Sequence, residues 1–79
     1  MSKRWCDDVT SLEAADCLIS QLYPKDGAPL EKLVEHSKAS ARVYRIVARL
    51  DAEQAANARA SARRAKELTQ ILSNFLAQL

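Results

Sequence analysis

The chain has 79 residues, 48% of them apolar and 28% charged, and a formal net charge of +2. A chain this short forms at most one domain and buries only about 60% of the surface that its unfolded state exposes, so we expect self-association or a partner to add stability. The small net charge by itself indicates neither a nucleic-acid-binding nor a membrane-binding protein, and no apolar run approaches the roughly 18 residues of a membrane-spanning helix.

The thiol and imidazole groups are too few for a structural metal site. They are Cys6, Cys17 and His36, whereas structural zinc takes four such ligands at paired short spacings. Residues 1–9, which contain four charged side chains, lack the apolar stretch of a signal peptide. We therefore predict no metal and a reducing, cytoplasmic location, with both cysteines as small packing residues and His36 on a solvent-facing polar helix face.

The first predicted helix covers residues 11–22. Thr10 is followed at the third position by Glu13, the arrangement of a reciprocal capping box. Apolar residues then recur at spacings of three and four, which is typical of an amphipathic helix. We expect residues 23–28, which contain Pro24 and the only glycine, to form the connection.

After Pro29 there is no further glycine or proline, and good helix formers dominate. One helix over residues 30–79 would be about 75 Å long at 1.5 Å per residue, which is too long for this domain size. We predict a break at Asp51, which can cap a new helix with Gln54 reaching back. The alternative is one continuous helix, since small and apolar residues keep nearly one heptad register across the break.

The predicted fold is therefore all-α: a small bundle of three helices, 11–22, 30–50 and 52–79, in which the last two form a helical hairpin. The third helix carries a stripe of small residues that permits close approach of a neighbouring helix, within the chain or across a dimer. This stripe consists of Ala55, Ala58, Ala62 and Ala65.

An apolar stripe occupies the C-terminal end of the last predicted helix. It consists of Leu68, Ile71, Leu72, Phe75, Leu76 and Leu79, on an arc of about 140° at 100° per residue. The stripe either covers the other helices within one chain or forms a surface for oligomerisation and docking, and we expect the chain to oligomerise. A membrane-surface role would need cations beside the stripe, and none follows Lys66.

Residues 38–66 form a basic belt, with eight cations against two carboxylates and a balance of +6. Its candidate partner-binding residues are Arg42, Arg45 and Arg49 in one cluster and Arg59, Arg63 and Lys66 in the other. Members of each cluster share one helix face, and arginine can bind carboxylate or phosphate through two hydrogen bonds. The alternatives are a face neutralised by the acidic N-terminal segment, an acidic patch on a protein partner, or a nucleic-acid backbone.

The segment Val43-Tyr44-Arg45-Ile46-Val47-Ala48-Arg49-Leu50 resembles the helix-turn-helix of winged-helix repressors such as the IclR type. The resemblance implies a turn at Lys38, a recognition helix over residues 41–50 that enters the major groove, and a dimer formed by residues 52–79.

The composition does not indicate a catalytic centre. One histidine and one glycine offer few ways to build a nucleophile with its base, and no glycine-rich phosphate loop. We therefore expect no catalytic residue and no cofactor. The predicted function is a small protein-binding regulator or inhibitor, of the kind that phages and mobile elements direct against a larger host protein, and the alternative is the dimeric DNA-binding regulator.

Overall fold

The computed structural model describes residues 9–79, which form an all-α bundle of three helices. Helix α1 is Leu12–Gln21, α2 is Leu30–Leu50 and α3 is Ala55–Gln78, and the single 3₁₀ turn Ala52–Gln54 leads into α3. The predicted fold class is confirmed, with α2 and α3 as an antiparallel hairpin. Within the described range, no helix combines the length and the apolar character needed to cross a membrane.

Helix α1 begins one residue later than predicted. Its cap is Ser11, whose hydroxyl accepts a hydrogen bond from the Ala14 amide at 3.2 Å, so the predicted capping box at Thr10 is wrong. With Ser11 as the cap, Glu13 occupies the second helical position and contributes only its charge near the positive helix end. In the connection that follows, Gly27 has φ +87°, a left-handed conformation that a side chain would strain.

The break between α2 and α3 lies where the sequence predicts it. The amide of Asp51 completes α2 by donating to the Val47 carbonyl at 2.8 Å, and its carboxylate accepts from the Gln54 amide at 3.3 Å. The alternative of one continuous helix is therefore wrong. The Gln54 side chain does not reach back as predicted, because its Oε1 accepts from Asn57 Nδ2 at 2.9 Å.

Small side chains form the contact between α2 and α3. Ala58 is fully buried and Ala62 nearly so, while Ala55 and Ala65 on the same stripe are half-buried. The predicted close pairing over this alanine stripe thus occurs within the chain. Ser37 and Thr69 fix how the two helices align, because the Thr69 hydroxyl donates to Ser37 Oγ at 2.7 Å.

The hydrophobic core lies between α1 and one face of the hairpin. Val9 and Ala15 meet Val43, Val47 and Ala58 there, and all five are buried. The largest side chains that are fully buried are valines. Leucine, isoleucine and phenylalanine side chains therefore lie at the edge of this core or outside it.

His36 links α2 to the end of α1. Its Nε2 donates to the Ile19 carbonyl at 2.9 Å, and its ring meets Tyr23 edge-on, with centroids 5.2 Å apart. The predicted solvent-facing role of His36 is therefore wrong. The packing role predicted for Cys17 is also wrong, because this residue is exposed with a free thiol, and Cys6 lies outside the described residues.

Tyr44 forms a second link between α1 and α2. Its hydroxyl donates to Asp16 Oδ1 at 2.5 Å. Burial, the hydrogen bond to Asp16 and the charge of Asp16 together raise the pKa of Tyr44 to about 12, against a smaller opposing effect of Arg64. The neutral phenol therefore stabilises the folded chain.

Replacing Tyr44 with phenylalanine should lower the free energy of unfolding by about 1 kcal/mol at neutral pH, because the hydrogen bond is lost. The folded protein holds this proton more tightly than the unfolded chain, whose tyrosine pKa is 10.0, so the wild-type advantage is complete below pH 10 and is lost as the pH rises to about 12. Urea denaturation of both proteins across this range measures the difference. A difference that stays constant would contradict the assignment.

Candidate partner-binding groove

A large open groove follows α2 and α3, with residues of the α1–α2 connection at its border. Its volume is about 1840 Å³. Ala41 and Ala62, each 7% exposed, lie at its bottom, and Ala39 and Ala56 also line it. We call it the cationic groove, after the charged residues among those that line it: Lys25, Lys32, Lys38, Arg42, Arg45, Arg59, Arg63 and Lys66.

The charge of the cationic groove is strongly one-sided. Against its eight cations, the described residues place one carboxylate in the lining, Glu35, which gives the lining a formal charge of +7. Since the whole chain carries +2, all other residues together carry −5. Glu35 is 3.9 Å from Lys32, and both side chains are mostly exposed, so this pair neutralises little of the groove.

The cations lie at matching levels on the two helices. Because Ser37 bonds to Thr69 in an antiparallel hairpin, Lys38 lies level with Lys66 to within about 3 Å along the axis, at 1.5 Å per residue. By the same register Arg42 lies level with Arg63, and Arg45 with Arg59. The six residues therefore form three successive cation pairs across the groove.

Most of these cations are not neutralised by the fold. Within residues 9–79, no carboxylate lies within ion-pair distance of Arg45, Arg59, Arg63 or Lys66. The acidic residues of α1 lie elsewhere: Asp16, for example, is bonded to Tyr44. The interpretation of the belt as a face neutralised by the N-terminal segment thus finds no support in the described residues.

Five of the six predicted partner-binding residues line the groove, and Arg49 does not. Arg49 belongs to the last turn of α2, where its charge favours the negative helix end. The prediction missed the groove residues Lys25, Lys32 and Lys38. Lys38 could have been found, because it precedes Arg45 by seven residues and so lies on the same helix face.

The predicted C-terminal stripe divides into two parts. Leu72 and Leu76 are half-buried, which is the part that covers the bundle. The others are exposed, and we call them the C-terminal apolar surface: Leu68 at 43%, Ile71 at 52%, Phe75 at 58% and Leu79 at 94%. None of these four lines the cationic groove.

The turn that the resemblance to winged-helix repressors places at Lys38 is absent. Helix α2 runs without interruption from Leu30 to Leu50, so residues 41–50 are the second half of a longer helix. Among the residues that the structure describes, no three histidine, cysteine or acidic side chains are close enough to share a metal ion.

The chain matches no protein-family model, no curated protein and no solved structure.

The facing cations should weaken the fold at low ionic strength. Replacing Arg63 with glutamine removes one of them, and we expect the free energy of unfolding to rise by about 0.5 kcal/mol. The gain should vanish near 1 M salt, where the screening length is about 3 Å. Chemical denaturation at both ionic strengths measures it.

The matched control is Arg64→Gln on the same helix. Arg64 lies outside the cationic groove and donates to Ser61 Oγ at 3.0 Å, so its replacement should bring no gain. Equal gains for the two variants would show that overall charge, and not the groove, is responsible.

Proposed function

We propose that this protein is a non-enzymatic regulator or inhibitor that binds an acidic surface of a larger protein in its cationic groove. The observation that carries the proposal is the set of cation pairs that face each other across the groove, one cation of each pair on α2 and the other on α3. Four of these cations have no carboxylate partner among residues 9–79: Arg45, Arg59, Arg63 and Lys66. An acidic partner would supply those carboxylates, and the field of the groove would speed the encounter.

The size of the groove favours a segment of a macromolecule over a small ligand. Small-molecule sites are concave and enclose about 300 to 1,000 Å³, whereas this groove is open and measures about 1840 Å³. Its charges lie along two helices rather than converging on one point. A partner that extends along the hairpin can contact several of them together.

A protein partner fits the groove better than a nucleic acid does. In the part of the chain that the structure describes, no phenylalanine, tyrosine or tryptophan lines it, whereas proteins that bind single strands stack bases on aromatic rings. A recognition helix inserts its side chains into the major groove, but here the cations lie around a depression with alanine at its bottom. DNA binding, the alternative, is one outcome of the test below.

We further propose that the C-terminal apolar surface binds a second copy of the chain. Its four residues are large, apolar and exposed, and no charged residue follows Glu67 in the sequence to oppose burial of that helix end. Burying a side chain of this size contributes about 1.5 to 3 kcal/mol. We place the complex in the cytoplasm of a host cell, with a phage or mobile element as the source, on the grounds of small size and the free thiol of Cys17.

Reversing charge in the groove should abolish partner binding. Immobilised Arg45→Glu/Arg59→Glu protein should fail to retain an acidic protein that the wild type captures from native cells, because the two new carboxylates repel the acidic surface that the two guanidinium groups would have bound. Arg49→Glu, on the same helix as Arg45 but outside the groove, is the matched control and should retain it. Quantitative mass spectrometry of the captured proteins provides the measurement.

Two outcomes would contradict this function. If the wild type and the groove variant retain the same proteins, the binding lies outside the groove. The second outcome is that the purified chain binds a specific DNA duplex at physiological salt, with a salt dependence that corresponds to several phosphates. That result would favour the DNA-binding regulator.

Self-association has its own test. Replacing both Ile71 and Phe75 with lysine should convert a dimer or larger oligomer into a monomer, because the charges cannot be buried in an apolar interface. Light scattering across a dilution series gives the mass. Leu50→Lys is the control, since Leu50 is 60% exposed and ends α2 at the connection to α3, whereas the C-terminal apolar surface belongs to the other end of α3. A wild type that is monomeric throughout the series would contradict the proposal.

A further inference from the structure

The cations of the groove repeat with the period of a packed helix. Lys38 and Arg45 are seven residues apart on α2, and Arg59 and Lys66 are seven residues apart on α3. Seven residues are two helical turns, about 10.5 Å, and the same repeat places charged residues beside the seam of helices that pack side by side. A helical partner could therefore meet both rows in register.

The bottom of the groove has room for such a helix. Ala41 and Ala62 project only a methyl group between the two rows, and side chains this small allow the backbones of neighbouring helices to come close. Helix α1 packs on the other face of the hairpin, where Ile19 and Tyr44 line a smaller cavity with Arg64. Among residues 9–79, one face of the hairpin is thus covered by a helix and the other is open.

We propose that the occupant of the cationic groove is an acidic amphipathic helix of the partner protein. This inference rests on the proposed function and names the form of its partner. The helix lies along the open face of the hairpin as a fourth bundle member, with small or apolar residues against Ala41 and Ala62. Carboxylates on its two flanks, repeating every seven residues, pair with the two rows of cations.

The charge pattern explains why a helix fits better than an extended acidic chain. Residues in an extended chain advance about 3.3 Å each, and successive side chains point to opposite faces. Only every second carboxylate would face the groove, and these carboxylates would lie in one line although the cations form two rows. A helix carries side chains on both flanks of the face that contacts the groove. On each flank a carboxylate can recur every two turns, which matches the spacing of the cations in each row. Its carboxylates would also replace repulsion between facing cations with attraction.

The experiment uses two synthetic peptides of identical composition. In the first, three heptads carry apolar residues at a and d and glutamate at e and g, so that like charges prevent the peptide from pairing with itself. In the second, the order of the same residues is scrambled, so that the peptide has neither the apolar stripe nor the flanking glutamates. Fluorescence anisotropy gives the affinities for the full-length protein at physiological salt, and circular dichroism shows whether helix is gained on mixing.

We expect the patterned peptide to bind at least about tenfold more tightly than the scrambled one, a difference of about 1.4 kcal/mol, and to become helical when bound. Arg45→Glu/Arg59→Glu should lose this preference while Arg49→Glu keeps it. Circular dichroism of each variant alone verifies its fold.

Three results would overturn the inference, and they are distinguishable. Equal binding of both peptides would show that the groove selects negative charge alone, which removes the helix but leaves the proposed function standing. If neither peptide binds while the cellular partner is still captured through the groove, the helix is again wrong. A preference for duplex DNA over both peptides would overturn the helix and the proposed function together.

Discussion

The close approach of α2 and α3 over alanine determines most of the other features of this molecule. Ala58 and Ala62 place methyl groups where larger residues would hold the two backbones apart. A seam this narrow encloses little volume, and the largest fully buried side chains are Val43 and Val47. The core therefore contributes less hydrophobic stabilisation than the apolar content of the sequence would allow.

The narrow contact between α2 and α3 also explains why large apolar residues lie outside the core. A third helix as short as α1, Leu12–Gln21, cannot cover the full length of a hairpin whose second arm is Ala55–Gln78. The end of α3 consequently extends its side chains into solvent, with Phe75 at 58% exposure. In a small domain with limited burial, an exposed surface of this kind is where a second chain adds most stability.

The same approach of the helices brings like charges level with one another. Lys38, Arg42 and Arg45 would be separate surface residues on a single helix, but α3 places three more cations opposite them. Solvent screening keeps the resulting repulsion modest. Cations such as Arg45 and Arg63 have no carboxylate partner among residues 9–79, while the residues outside the groove together carry −5. Charge left unpaired in this way is a local conflict that is typical of functional sites.

Signals close together in the sequence predicted the fold well. Asp51 stops α2 and caps the next turn through groups within four residues of it, so its role needs no knowledge of the tertiary structure. Thr10 and Ser11 are both good caps, and their preferences differ too little to decide between neighbours. His36 shows the limit, because its acceptor, Ile19, is 17 positions away and nothing near His36 indicates that contact.

The candidate site was predicted less completely than the fold, for a geometric reason. Spacing within one helix shows which residues share a face, but not how that helix is rotated relative to its neighbour. The rotation follows from the buried stripe of Ala58 and Ala62 and the bond between Ser37 and Thr69. It brings Lys38 into the groove and leaves Arg49 outside, although spacing alone groups Arg49 with Arg42 and Arg45.

The two exposed surfaces are separate, and this has a consequence for binding. Leu68 lines the cavity shared with α1 residues such as Ile19, whereas Ala41 and Ala62 line the cationic groove. Self-association through the C-terminal apolar surface would therefore leave the groove of each copy open. A dimer would present two grooves. Once a partner with two acidic segments at a suitable distance had bound the first groove, its binding to the second would be intramolecular, which strengthens the overall binding. Moderate affinity at each groove would then be enough for a small protein to retain a much larger one.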